Sequence, residues 1–144
     1  MMRAAVLLTC TVLAAACTTP SLRGPSADTV APTPNRLAGS WELQQVGPTA
    51  APRALSASFN ANGQVTGAIS CNAWSGRYAL DGNRIEFSGD IIVTTAGCGP
   101  NYQSLELTAR AEESFWRNRA VWLSADGTRL FMQGDDILTF RRVD

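Results

Sequence analysis

Apolar and polar residues alternate through most of the chain beyond residue 38, and that alternation predicts strands. Trp41 and Leu43 alternate with Glu42 and Gln44 in a first strand that runs to Val46 and ends at Gly47-Pro48. Leu55–Phe59 alternates again, and Gln64–Ile69 returns after the turn Asn60-Ala61-Asn62-Gly63, which predicts a hairpin. A second hairpin joins Arg77–Leu80 to Arg84–Phe87 through Asp81-Gly82-Asn83. Gly89-Asp90 then turns the chain into a further β-rich run, Ile91–Thr95. Asp126-Gly127 between residues 120–123 and 129–132 is a strong hairpin signal, and Ile137–Arg141 makes a last strand.

The period changes between Tyr102 and Trp116, where Leu105, Ala109, Phe115 and Trp116 fall near one helical face and Glu112 interrupts them. Ser104 is placed to cap this helix. About eight short antiparallel strands with one helix predict a mainly β (α+β) domain: a small, partly open barrel whose helix covers an edge or plugs an end. The segment Gly67–Tyr78 lies centrally in this plan, with strands on both sides. Trp74 within it reads as part of a loop or bulge, where it either packs on the barrel rim or makes an exposed contact.

The first 37 residues lack this periodicity. Residues 1–16 read as an export signal, with Arg3 ahead of a short apolar run. That run is shorter than the roughly 20 residues a membrane-spanning helix needs. Leu13-Ala14-Ala15-Ala16-Cys17 has the form of a lipobox, which marks Cys17 for acylation; a plain secretory signal cut near Ala16 is the alternative. Residues 17–37, rich in Pro, Ser and Thr, read as a flexible tether, leaving 38–144 as the folded domain. In the bacterial lipoproteins that this lipobox resembles, Thr18 rather than Asp after the cysteine implies the outer membrane, facing the periplasm.

Twelve acidic residues balance twelve arginines, so no bulk charge points to nucleic acid. The chain has no lysine and no histidine, which removes the usual bases for activating a serine and the commonest metal ligand. No catalytic constellation, metal site or cofactor motif is predicted. Glu112-Glu113 and Asp135-Asp136 are the carboxylate pairs that a hydrolase would have to use. Arg117, Arg119, Arg141 and Arg142 read as solvated ends of elements. Downstream of Cys17 stand two cysteines, Cys71 and Cys98. In an exported protein one disulfide is their simplest use, closing a 27-residue separation worth roughly 3 kcal/mol in the chain-entropy view; a free reactive thiol is the alternative.

Gly67, then Cys71-Asn72-x-x-x-Gly76-x-Tyr78, then Thr94 and Cys98, resembles the META domain, also called HslJ-like, of bacterial lipoproteins. Gly39-Ser40-Trp41-Glu42-Leu43, Phe59-x-x-x-Gly63 and Leu138-Thr139-Phe140 extend the likeness over nearly all of 38–144. The helix departs from the pattern: Glu112 precedes Phe115-Trp116, and the later Leu is replaced by a polar run. The resemblance implies a partly open β-barrel with one helix and an envelope role in maintenance or stress response, with no catalytic residue. Its fold is similar to that of lipoproteins that pilot secretins, which hold a lipid or a peptide in an apolar cavity. The expectation is a monomer held to the membrane by its lipid, binding an apolar ligand or a protein segment in the barrel mouth. An inhibitor or assembly factor using Trp74, and a carboxylate hydrolase, are the competing readings.

Overall fold

The computed structural model describes residues 25–26, 28–51, 54–95 and 105–144. Ten strands form one antiparallel sheet: β1 (Thr29–Val30), β2 (Gly39–Val46), β3 (Thr49–Ala50), β4 (Leu55–Phe59), β5 (Gln64–Ile69), β6 (Asn72–Asp81), β7 (Arg84–Val93), β8 (Ala120–Ser124), β9 (Arg129–Gln133) and β10 (Ile137–Arg142). The order across the sheet is β1-β8-β9-β10-β2-β4-β5-β6-β7, with β3 beside β2. The sheet curls until its ends approach: Val121 N, on β8, donates to Asn83 O, in the β6–β7 turn, at 2.7 Å. This is the small, partly open barrel that the alternation predicts. Its interior holds Trp41, Leu43, Leu55, Phe59, Leu130, Met132, Leu138 and Phe140, all essentially inaccessible.

Two helices complete the fold, α1 (Pro34–Leu37) and α2 (Leu105–Trp116). α2 packs against β2, β4, β9 and β10. Its buried face is Thr108, Ala111, Ser114 and Phe115, while Ala109 is exposed. The expected stripe is therefore rotated. Apolar spacing alone selects Ala109, but the helix is seated by small residues that let its backbone come close. A Cβ on Gly134 would fall against the backbone of Ser114, so this turn needs glycine. Ser114 Oγ accepts from Asp136 N at 2.9 Å. Ser104 and the Gly/Pro-rich run 96–100 lie outside the described residues.

Ordered structure begins upstream of residue 38. Thr29-Val30 pairs with Leu123-Ser124 on β8. Thr33 caps α1, accepting from Arg36 N, with Pro34 at the first turn, where a missing N–H costs nothing. Leu37 is buried, and its carbonyl accepts the indole N–H of Trp41 at 2.9 Å. A tether with little hydrophobic periodicity can still dock through one leucine and a two-residue strand. Arg142 holds the same corner. Its guanidinium lies 4.2 Å from the Trp41 ring centre and donates to the carbonyls of Arg36, Ala38 and Gly127. It is no solvated strand end, as the sequence suggests, because α1 brings carbonyls within its reach.

The Asp126-Gly127 hairpin forms as predicted. Gly127 takes φ of 75°, and Asp126 Oδ1 accepts from Ser124 Oγ, Thr128 N and Thr128 Oγ1. Those hydrogen bonds, from Ser124 first, lower the Asp126 pKa from 3.8 to about 2. A depressed folded-state pKa adds stability that is complete above the unfolded value and is lost as pH falls through the folded one. Denaturant midpoints measured between pH 5 and pH 2 should therefore fall less steeply for Asp126→Asn than for the parent. Parallel pH profiles would contradict this role.

Candidate functional site

The stretch Gly67–Tyr78 is strand, tight turn, strand. β5 ends at Ile69, Ser70 turns with φ of 55°, and β6 begins at Asn72. Trp74 therefore sits within a ten-residue strand, not in a loop. It is only 3 % exposed, so its ring is not a solvent-facing contact. Gly67 stands opposite it across the β5–β6 ladder, and a Cβ there would lie 2.6 Å from two indole carbons and also on the Ser56 carbonyl. The indole edge rests on a bare backbone. From there the ring meets Phe115 at 5.2 Å and Trp116 at 5.0 Å between centres, both edge-on. Phe87 lies tilted against Phe115 and edge-on to Trp116, and Phe140 closes the group behind Phe115. Each such pair adds about 1 kcal/mol beyond its buried area. Among the described residues Trp74 Nε1 is buried without a hydrogen-bond partner, so shape and ring contacts hold the indole while strand pairing holds its backbone.

The other signature residues fasten the strands around this ring. Thr94 Oγ1 accepts from Ala73 N at 3.0 Å, Thr94 N donates to Ala73 O at 2.9 Å, and the Asn72 side chain lies beside it. Tyr78 is buried edge-on against Phe59, its hydroxyl donates to Asn60 O at 2.7 Å, and burial raises its pKa. Gly76 faces a bulge: Ser75 pairs with Ile92 and Arg77 with Ser88, so Gly89, Asp90 and Ile91 share one partner. Gly89 takes φ of 78°, and a Cβ on Gly76 would sit 3.4 Å from the Ile91 side chain. β7 thus runs on through Gly89-Asp90, where the sequence suggests a break, because a bulge absorbs those residues. Cys71 lies in the tight turn between β5 and β6. Cys98, its expected partner, and Cys17 lie outside the described residues.

Among the described residues β7 is also the last strand of the sheet, pairing with β6 on one side. Its end carries the most exposed large apolar group, with Ile91 at 39 %, Ile92 at 65 % and Val93 at 43 % exposure. Ile85, Phe87 and Ile91 from this strand join Trp116 and Asn118 around a pocket of about 380 Å³, which also touches Glu86. That size is ordinary for a ligand site. The pocket lies in the open seam between β7 and the junction of α2 with β8. Asn118 Oδ1 accepts from Ala120 N, but its Nδ2 is buried with no acceptor. Sequence pattern misses this seam, although three adjacent β-branched residues in an unpatterned run are its visible sign.

The carboxylate pairs do other work. Asp136 bonds Arg110 through two nitrogens, Asp135 meets Arg117 and Arg119, and Glu113 pairs with Arg117 one turn along. Among the described residues no three of His, Cys, Asp and Glu gather as a metal site.

The META domain model matches residues 35–143. The chain belongs to the META domain family. Two solved structures share the fold. An NMR structure of a protein from Burkholderia xenovorans is 23% identical, with a TM-score of 0.51, over 84% of this chain and 97% of its own. A crystal structure of a DUF4847 family protein from Bacteroides vulgatus is 13% identical, also with a TM-score of 0.51, over 75% of this chain and 96% of its own. A comparison with curated proteins finds no significant match.

The geometry of this META domain ranks two glycines. Gly67→Ala should cost about 3 kcal/mol, since neither the Ser56 carbonyl nor the indole can retreat. Gly82→Ala, at φ of 57° with nothing within 4 Å, should cost about 1 kcal/mol. Urea titration of both variants checks the order, and an equal loss would contradict the tight seat under Trp74.

Proposed function

We propose that this META domain protein is a non-catalytic envelope module, anchored by lipid at Cys17, that holds an apolar segment in the seam beside β7. The observation that carries the reading is the coincidence at one sheet edge of the pocket, the exposed Ile91–Val93 and an unpaired strand. Large side chains fill the barrel interior, so the seam rather than the barrel centre is where an apolar group finds room. The lipobox and export signal favour the outer membrane facing the periplasm, and a disulfide between Cys71 and Cys98 suits that compartment. A hydrolase would need converging carboxylates, whereas Asp135, Asp136 and Glu113 are neutralised by arginines.

Trp116 lines the pocket and gives a built-in reporter. Titration of the full chain with the apolar dye N-phenyl-1-naphthylamine should quench Trp fluorescence saturably. Ile91→Asp, at an exposed position, should weaken that binding about tenfold while leaving the fold intact by circular dichroism. Unsaturable quenching, or equal binding by the variant, would contradict the seam as the site. Intact-mass analysis of the same preparation should show acylation that Cys17→Ser abolishes and a deficit of about 2 Da from one disulfide. An unacylated parent with two free thiols would overturn the anchored, exported reading.

A further inference from the structure

The seam suits an apolar occupant, and the inference that follows rests on that reading. We infer that the occupant is an extended protein segment, apolar at alternate positions and basic between them, that adds as a strand to the outer edge of β7. The open edge is the first observation. Among the described residues β7 ends the sheet and pairs with β6 alone, and beyond the closure at Asn83 its other edge presents backbone N–H and C=O groups that an added strand satisfies. Natural sheets usually blunt such an edge with charge, proline or a bulge. Here the bulge at Gly89–Ile91 leads into three exposed apolar residues rather than into charge.

Spacing is the second observation. Side chains on one face of an extended segment repeat every ~7 Å. Ile85, Phe87 and Ile91 line the pocket from β7, so alternate side chains of a neighbouring strand would enter the same recess.

Charge selects the chemistry between the apolar positions. Glu86 and Asp90 are exposed on β7 beside the pocket and enter none of the ion pairs among the described residues. Arg84, at the hairpin tip, is the one cation of the strand. Two unpaired carboxylates favour lysine or arginine on the incoming segment. They also disfavour a second copy of this chain, since antiparallel self-pairing about Ser88 sets Glu86 opposite Asp90. An acyl chain fills the pocket but leaves the strand edge and both carboxylates without partners.

The test uses the full chain and a blocked, fluorescein-labelled nonapeptide of alternating valine and lysine. Saturable binding is expected, with backbone amide shifts centred on residues 84–93 in NMR spectra. The peptide with glutamate for lysine, and the peptide N-methylated at every residue, should each bind at least about tenfold more weakly. Equal binding by the N-methylated peptide, or shifts centred elsewhere, would overturn strand addition. If palmitate displaces N-phenyl-1-naphthylamine and the peptides do not, the seam stands and the strand inference falls. If no probe binds, both fall. A doubling of mass with concentration in ultracentrifugation, abolished by Ile92→Lys, would overturn the inference in favour of self-pairing.

Discussion

An indole ring lying on a bare backbone sets the geometry of this molecule. Trp74 can point into the barrel only because Gly67, its cross-strand partner, has no side chain: a Cβ there would strike both the indole and the Ser56 carbonyl on the next strand. Once seated, the ring faces Phe115 and Trp116 and so fixes where α2 can lie. The helix then closes the barrel over Phe140 and is held at its other side by the glycine approach at Ser114–Gly134. Most of the META signature serves this arrangement. Gly67 makes the space, Thr94 ties the start of β6 to the end of β7, and Tyr78 pins the hairpin behind it. Buried aromatic area of this kind dominates the energetics of a small core.

The same constraint determines what is left over. Trp74 is drawn inward and β7 bulges opposite Gly76, so the end of the strand projects Ile91, Ile92 and Val93 where the helix does not cover them. The sheet ends there without a partner strand, and the seam toward β8 closes only near Asn83. A molecule that packs its interior this fully has little room inside for a ligand. Among the described residues its open strand edge and its run of three exposed apolar residues, Ile91–Val93, lie in one place.

Much of this architecture is legible in the order of residues alone. Alternation locates the main strands, and Asp81-Gly82-Asn83, Asn62-Gly63 and Asp126-Gly127 mark real turns because positive φ at glycine is a local demand. The signature around Cys71 points to the family. The features that pattern misreads depend on non-local contacts. Trp74 looks like a loop residue because flanking Asn72, Ser75 and Gly76 are poor strand formers, yet pairing on both sides of β6 overrides that preference. Spacing places Ala109 on the wrong side of the helix because close backbone approach, not apolarity, seats α2. Residues 29–37 show no pattern of their own because their binding to the barrel depends on Leu37 and on an arginine more than a hundred residues away. The open edge depends on strand order, which no local pattern encodes.

Amide hydrogen exchange along β7 in the free protein tests the open edge most directly. Among the described residues β7 is paired with β6 alone beyond the closure at Asn83, so roughly every second amide from Ile85 to Ser88 should exchange without protection, while those bonded to β6 are slowed with the rest of the sheet. Uniform protection along the strand would mean that the edge is already covered, and the seam could not receive a partner in the way described.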